Sequence, residues 1–339
     1  MALSTDTNMS NNLNPKIYIK KNKIPVIYLD TCLLIELSRY EKGKCTDVHS
    51  QHIGKLYDIL LSLMRENRIL CPLGNQMCEM GMSRQRQQAR NFVYQFTNAR
   101  MIEPSGIEDM QFDIGCNAFV NSESSLNFNA EDIFERLYSD DVNSFKIDIA
   151  TIYPEEKILN LKQSKYVLMQ KLNTAKKSNE KVLDFYSQLK LELEADFQVF
   201  MHIIENYDKS IESYSLNIDT LVKIFRRIGI NIIGTSNEER VNAVSIHNDF
   251  LLSLYHHQLP CVWIKSVLFA HIMQRPDKII QSDYLDIMWA SAYLPFIDYA
   301  ITDKKFCALL NQSGLAELYR TKVYDLNSID KLLEELIAL

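Results

Sequence analysis

The chain has 339 residues, 47% of them hydrophobic, which is enough for one large domain or two smaller ones. Its nine glycines and eight prolines exclude a loop-rich or all-β architecture and favour helices. No run of about 18 apolar residues predicts a membrane span. Seven cysteines without a CxxC pair argue against a disulfide framework or a thiolate zinc site, so we expect reduced thiols in a cytoplasmic protein.

The net charge of −6 is distributed unevenly. Residues 103–148 hold eleven acidic and two basic residues, a local net charge of −9, which leaves +3 for the rest of the chain. A mildly basic remainder permits a polyanionic substrate without requiring one. Residues 1–23 lack the pattern of a secretory signal and predict a disordered polar arm.

The first third of the chain predicts alternating strands and helices. IPVIYL at residues 24–29 is typical of a strand buried on both faces, and Asp30 and Thr31 separate it from a segment with helical spacing. Residues 53–64 predict an amphipathic helix. RILCPL predicts a second buried strand, and another helix is expected from about Gln76.

The middle of the chain predicts an insertion. Residues 101–150 are acidic and contain turn-forming residues, so we expect an irregular surface excursion. Between residues 155 and 228 neither glycine nor proline occurs, which favours one long helix or a helical hairpin. Further helices fit residues 237–257 and 260–274. One apolar stripe with steps of three or four predicts a packing face: Val182, Tyr186, Leu189, Leu193, Phe197, Phe200 and Ile204.

Strands and helices alternate again near the end of the chain. The predicted order is a helix in SDYLDIMWASAYLP, a strand in FIDYAIT, a helix in KKFCALLNQ, a strand in KVYDL and a helix in IDKLLEELIAL. We therefore predict one α/β domain with a central parallel sheet, formed by residues 24–100 and 261–339 and interrupted by residues 101–260.

Acidic residues lie where these predicted strands end. Asp30 follows the first strand, Glu79 lies shortly after the second, and Asp303 follows YAIT. Asp283 and Asp286 begin the preceding helix and share one of its faces. Ligands of parallel sheets bind at this edge, and converging carboxylates repel one another unless a cation lies between them. Oxygen ligands without Cys or His favour Mg²⁺ or Mn²⁺.

At these positions the sequence resembles the PIN domain family. VIYLDTCLLIEL resembles the family's first strand and Asp, and MCEMG lies where its second acid occurs. DIMWASAYLPFIDYAITDKKF resembles its C-terminal half, with an Asp heading a helix, a strand, a Thr-Asp pair and a Phe. The resemblance covers about residues 24–100 and 275–320 and does not reach the helical middle.

The resemblance implies a PIN-like three-layer fold and an Mg²⁺- or Mn²⁺-dependent endoribonuclease acting mostly on single-stranded RNA. Family members serve as toxins, in RNA decay or in antiviral and other defence. Asp283 is implied as an additional metal ligand or a substitute for Asp286, and Thr31 and Thr302 would orient ligands or water. The implied catalytic and metal-binding acids are Asp30, Glu79, Asp286 and Asp303.

Three arginines after Glu79 predict a nucleic-acid-binding face. Arg86 and Arg90 are four residues apart and share one helix side, whereas Arg84 projects from another side of a regular helix. DNA remains an alternative substrate. The apolar stripe of the insertion predicts assembly, as a homo-oligomer or with a regulatory protein.

Two other functions fit parts of the sequence. A haloacid-dehalogenase-like phosphatase also begins with a strand ending in Asp, but its chemistry wants a second Asp where this chain has Cys32. A catalytically silent PIN-like binding module or complex subunit would not need the full set of acids. Metal binding distinguishes a working site from a degenerate one.

Overall fold

The computed structural model describes residues 14–44, 50–73, 76, 92–136, 169–170, 172–174, 176–177, 183–205, 222–228 and 236–339. It is a mixed α/β protein that consists mostly of helices with short strands. None of the helices in these ranges is long and apolar enough to cross a membrane.

The chain divides into two compact units. The helical unit lies within residues 1–18, 105–128 and 181–275, and the sheet unit within residues 19–104, 129–180 and 276–339. This division differs from the predicted boundaries. The segment 261–275 groups with the helical unit, and the described residues within 101–104, 129–136 and 169–177 group with the sheet unit.

The strands are short and mostly parallel. In the sheet unit β2 pairs in parallel with β7, β7 with β8, and β3 with β4, whereas β6 runs antiparallel to β4. The strands of the described residues are β1 (Lys16–Lys20), β2 (Ile27–Leu29), β3 (Pro72–Leu73), β4 (Ala99–Met101), β5 (Ser125–Asn129), β6 (Phe134–Arg136), β7 (Tyr299–Ile301) and β8 (Lys322–Tyr324).

A single parallel bridge joins the two three-stranded sheets of the sheet unit. Val26 and Leu70 form it, and the Ile27 N–H donates to the Leu70 carbonyl over 2.8 Å. The resulting order is β8-β7-β2-β3-β4-β6. The strands that follow β2 in sequence, β3 and β4, lie on one side of it, whereas the later strands β7 and β8 lie on its other side. The boundary between β2 and β7 is therefore a topological switch point.

Helices flank these strands in sequence. Those of the sheet unit are α1 (Thr31–Glu41), α2 (Ser50–Arg65), α9 (Gln281–Tyr293), α10 (Lys304–Gln312), α11 (Leu315–Leu318) and α12 (Ile329–Ala338). Between α2 and α9 the described residues also form α3 (Pro104–Val120), α4 (Phe185–Leu193), α5 (Ala195–Glu205), α6 (Asn237–Leu251), α7 (Leu254–His257) and α8 (Pro260–Gln274).

Strand β2 is buried on both faces, as its apolar sequence predicts. Ile27 and Leu29 belong to the hydrophobic core shared with α1, α2 and α12. Tyr28 points the other way, as alternation along a strand requires, and stacks on Trp289 of α9 with ring centroids 4.5 Å apart. Leu29 lies opposite Ile301 of β7, and the Asp30 N–H donates to the Ile301 carbonyl over 3.0 Å, which places Asp30 just beyond the end of β2.

The predicted irregular excursion at residues 101–150 is wrong for its first part. Residues 104–120 form α3, which begins at Pro104, a residue well suited to the first helical position. Ile107, Phe112 and Cys116 of α3 are buried, whereas its acids Glu108, Asp109 and Asp113 keep partial exposure. The acidic composition concealed this apolar spacing. Residues 137–150 lie outside the described part of the chain.

Two further expectations are corrected. The predicted disordered arm includes β1, which pairs with β5 in a two-stranded sheet. The predicted apolar stripe falls on two consecutive helices, α4 and α5, which excludes one long helix, the first of the two predicted forms, over residues 185–205. Leu189 and Phe200 are buried as expected, but Tyr186 is 80% exposed, so the stripe is not one continuous packing face. Val182 lies outside the described residues.

Candidate metal centre

Two of the predicted acids occupy equivalent places after adjacent parallel strands. Asp30 follows β2 and caps α1, accepting the Thr31 backbone N–H over 2.6 Å. Asp303 follows β7 after one intervening residue and caps α10, accepting from the Lys305 and Phe306 N–H groups over 2.8 and 3.1 Å. In both residues Oδ1 serves the helix cap. Capping and ligation are thus compatible, because each carboxylate has a second oxygen.

A third acid reaches the same point from α9. Asp286 lies in the first half of that helix, one turn after Asp283. One carboxylate oxygen from each of Asp30, Asp286 and Asp303 lies within 4.8 Å of the corresponding oxygens of the other two. The three residues are 256 and 17 positions apart in the sequence. The tertiary structure therefore gathers acids from two ends of the chain at the switch point of the sheet.

Neutral donors hold the Asp30 carboxylate in place. Asp30 is only 7% exposed, and its Oδ2 accepts the hydroxyl of fully buried Thr302 over 2.8 Å. The Cys32 thiol donates to the same oxygen over 3.7 Å. Thr302 thus orients a predicted ligand, and the Thr31 backbone N–H, described above, holds the other oxygen.

Burial raises the pKa of Asp30 above its usual value, and the hydrogen bonds from Thr302 and Thr31 oppose this shift. The nearby charge of Asp303 raises the Asp30 pKa further. Burial also raises the pKa of the Cys32 thiol well above its usual value, helped by Asp30 and Asp303, so the thiol stays protonated at neutral pH. An additional positive charge near Asp30 would oppose both effects.

Asp283 has other partners than the three gathered acids. Its Oδ2 accepts the Ile280 N–H over 2.8 Å, which closes the first turn of α9. Its Oδ1 lies 3.5 Å from the Lys305 ammonium, which also lies 3.1 Å from Asp277. Within the described part of the chain, the gathered group contains Asp30, Asp286 and Asp303 but not Asp283. The predicted ligand role of Asp283 therefore differs from its position in the structure.

Four predicted residues lie outside the described part of the chain: Glu79, Arg84, Arg86 and Arg90. Gln76, three residues before Glu79, is described and buried. Its side-chain amide donates to the Leu29 carbonyl over 2.9 Å, at the last residue of β2. Gln76 and Lys305 are not among the site residues that the sequence predicts. Lys305 stands two residues after Asp303, and that spacing was the available signal.

The donor set of the gathered acids fits a hard divalent cation. Three carboxylates supply oxygen only, the ligand type that Mg²⁺ and Mn²⁺ prefer. Mutual repulsion of carboxylates at these distances favours a cation between them. Asp30, Asp286 and Asp303 are therefore the residues that would hold it.

The chain matches no protein-family model, no curated protein and no solved structure.

Proposed function

We propose that the protein is a metal-dependent nuclease of the PIN-like kind that hydrolyses phosphodiester bonds, with single-stranded RNA as the favoured substrate. One observation carries the proposal: oxygens of Asp30, Asp286 and Asp303 lie within 4.8 Å of one another where two adjacent parallel strands end. This edge of an open α/β sheet, at a switch point, is where such folds bind ligands.

The order of motifs along the chain supports the same assignment. The resemblance implies an Asp after the first strand, an Asp in a later helix, and a Thr-Asp pair followed by Phe. Phe306, the last of these, is buried and meets Trp289 edge to face with centroids 5.4 Å apart. This contact packs α10 against α9 and so helps to set the distance between Asp303 and Asp286.

The residues of the site divide the work of hydrolysis. Asp30, Asp286 and Asp303 would bind Mg²⁺ or Mn²⁺, with Glu79 as the fourth acid that the resemblance implies. A cation held there would lower the pKa of the attacking water and offset charge on the phosphate. Thr302 keeps the Asp30 carboxylate in a fixed orientation through its 2.8 Å hydrogen bond. The net reaction adds water across one P–O bond and leaves a phosphate monoester and a hydroxyl group.

The test joins metal titration to a cleavage assay. Calorimetric titration of the full chain with Mn²⁺ should show binding, and single-stranded RNA should be cleaved with Mn²⁺ but not with a chelator. Single-stranded DNA, assayed in parallel, distinguishes the two substrates. Asp30→Asn and Asp303→Asn should each abolish binding and cleavage, because one ligand charge is lost without a change of size.

Asp298→Asn is the matched control. Asp298 precedes β7, at the opposite end of the strand from Asp303, and its carboxylate accepts the Val26 N–H over 2.8 Å. An asparagine there retains an acceptor, so binding and cleavage should persist. Wild-type binding and cleavage in both Asp30→Asn and Asp303→Asn would contradict the assignment. Mn²⁺ binding without cleavage of either nucleic acid would favour a binding subunit over an enzyme.

Assembly through the helical unit remains part of the proposal. Tyr186 of α4 and Val199 of α5 expose apolar side chains, at 80% and 59%. Covering such side chains in a homo-oligomer or with a regulatory protein would remove them from water. Light scattering of the full chain at micromolar concentration tests self-association. A monomer that purifies without a partner would contradict this part.

A further inference from the structure

Lys305 connects the beginnings of the two helices that carry Asp286 and Asp303. It lies in the first turn of α10, two residues after the cap residue Asp303. Its ammonium lies 3.5 Å from Asp283 in the first turn of α9 and 3.1 Å from Asp277, which precedes that helix. One side chain thus spans the distance between two elements that each contribute an acid to the gathered group.

Asp283 is well placed to transmit this contact. It is 6% exposed, and its other oxygen accepts the Ile280 N–H over 2.8 Å, so the carboxylate is fixed to the first turn of α9. Asp286 follows three residues later on the same helix face. A change in the position of Asp283 relative to α10 would therefore change the position of Asp286 relative to Asp303.

We propose that Lys305 is a positioning residue that sets the separation of Asp286 and Asp303 through its ion pair with Asp283. The inference depends on the proposed function, since it concerns the same metal centre. It assigns Asp283 to the support of the ligands rather than to the cation itself. The positive charge of Lys305 also offsets the charge of the Asp283 carboxylate, which is only 6% exposed.

The adjacent Lys304 offers a matched control. Both lysines are exposed residues in the first turn of α10 and carry the same charge. Among the described residues, Lys305 has carboxylates within ion-pair distance on the side of α9, whereas no ion pair of Lys304 is found. Loss of either lysine changes the net charge equally, so any difference between the two variants reports the ion pair.

The experiment compares Lys305→Met, Lys305→Arg, Asp283→Asn and Lys304→Met in the full chain. Calorimetry gives the Kd for Mn²⁺, and thermal melts in chelator give the stability of each variant without metal. Lys305→Met and Asp283→Asn should each raise the Mn²⁺ Kd about tenfold, the effect typical of residues that orient metal ligands. Lys305→Arg should restore most of the affinity, and Lys304→Met should leave the Kd unchanged.

Two further readouts separate positioning from other roles. The double variant Asp283→Asn with Lys305→Met should bind Mn²⁺ no more weakly than Lys305→Met alone, because the Lys305–Asp283 pair is already lost in that single variant. At saturating Mn²⁺ the KM for single-stranded RNA should stay at the wild-type value. A direct phosphate contact by Lys305 would instead raise this KM and leave the Mn²⁺ Kd unchanged, and that result would overturn the inference.

The remaining outcomes are also decisive. A Mn²⁺ Kd within twofold of wild type in both Lys305→Met and Asp283→Asn would overturn the positioning role. The proposed function would still stand in that case if the wild type binds Mn²⁺ and Asp30→Asn does not. If Lys305→Met fails to fold, Asp283→Asn, which retains an acceptor for the Ile280 N–H, decides alone. Absence of Mn²⁺ binding in the wild type overturns the proposed function and this inference with it.

Discussion

Buried charged side chains have different kinds of partner in the two units. In the helical unit, Arg227 is 10% exposed and donates to Asp109 over 2.9 Å and to Asp113 over 3.1 Å. In the sheet unit, Asp30 is 7% exposed, but the hydrogen bonds that hold it come from Thr302, the Thr31 backbone and Cys32. The first arrangement neutralises its acids within the protein, whereas uncharged groups hold the second in place.

The pKa values of two aspartates express the same contrast. Desolvation raises the pKa of Asp196 in the helical unit, but the hydrogen bond and proximity of His256, with Lys265 and Arg227 nearby, lower it below its usual value. For Asp30 burial dominates and the neighbouring carboxylate adds to it, so the pKa rises. Partly buried acids with basic partners thus stabilise a fold, whereas gathered acids held by neutral donors favour a cation between them.

The largest expected effect comes from removing the ion pairs of Arg227 in the helical unit. Arg227→Met should lower the free energy of unfolding by about 3 kcal/mol, the low end for removing one partner of a buried ion pair. The low end applies because Asp109 and Asp113 keep 31% exposure and water can solvate them. The variant also loses the guanidinium contact over the Phe112 ring, 4.8 Å from its centroid. Urea denaturation measures the change.

Arg226→Met is the control for this prediction. Arg226 also pairs with Asp113, over 2.9 Å, but its side chain is 56% exposed. Exposed pairs contribute at most about 1 kcal/mol, so this variant should change the free energy of unfolding much less. Equal losses in the two variants would mean that burial of Arg227 adds nothing to its pairing.

The second prediction concerns pH. His247 of α6 is buried between Phe200 and Phe250, and burial, with Arg227 and His256 nearby, lowers its pKa from 6.5 to about 3. The unfolded chain therefore binds a proton below pH 6.5 that the folded protein excludes. Stability is fully present above pH 6.5 and is lost as the pH falls, by about 2 kcal/mol from this group between pH 7 and pH 5.

Urea denaturation at pH 7 and pH 5 tests the assignment. His247→Leu should remove this part of the acid sensitivity, because no proton is then excluded on folding. Exposed His202 of α5 provides the control, and His202→Gln should keep the wild-type pH dependence. An unchanged difference between the two pH values in His247→Leu would assign the acid sensitivity to other groups.

The smallest effect has the opposite sign and concerns the sheet unit. Asp30→Asn should raise the free energy of unfolding in chelator by about 1 kcal/mol, since it removes a desolvated charge facing Asp303. Asparagine retains the cap of α1. In Mn²⁺ the order should reverse, because the wild type gains stability from binding and the variant does not. Thermal melts with and without Mn²⁺ measure both changes in stability. Destabilisation of Asp30→Asn in chelator would mean that the Asp30 charge does not destabilise the metal-free protein.

Local sequence patterns predicted many elements of the sheet unit. The apolar run before Asp30 contains β2, and KKFCALLNQ coincides with α10 at residues 304–312. These segments were predictable because their apolar spacing, their burial and the residues that precede them all favour the same secondary structure. Helix α3 was missed, since its acids face Arg226 and Arg227 from distant parts of the sequence. Without those partners, the same acids suggest a solvated loop.

The sequence by itself determined that predicted strands end in acids, among them Asp30 and Asp303, and the structure shows that both cap the helices that follow. Only the tertiary structure decided which acids meet. Parallel pairing of β2 with β7 brings Asp30 to Asp303 across 272 intervening residues, and helix α9 adds Asp286. The pattern could not assign Asp283, because its choice between a cation and Lys305 depends on the packing of α9 beside α10. Capping depends on neighbours in sequence, whereas ligand geometry depends on long-range pairing.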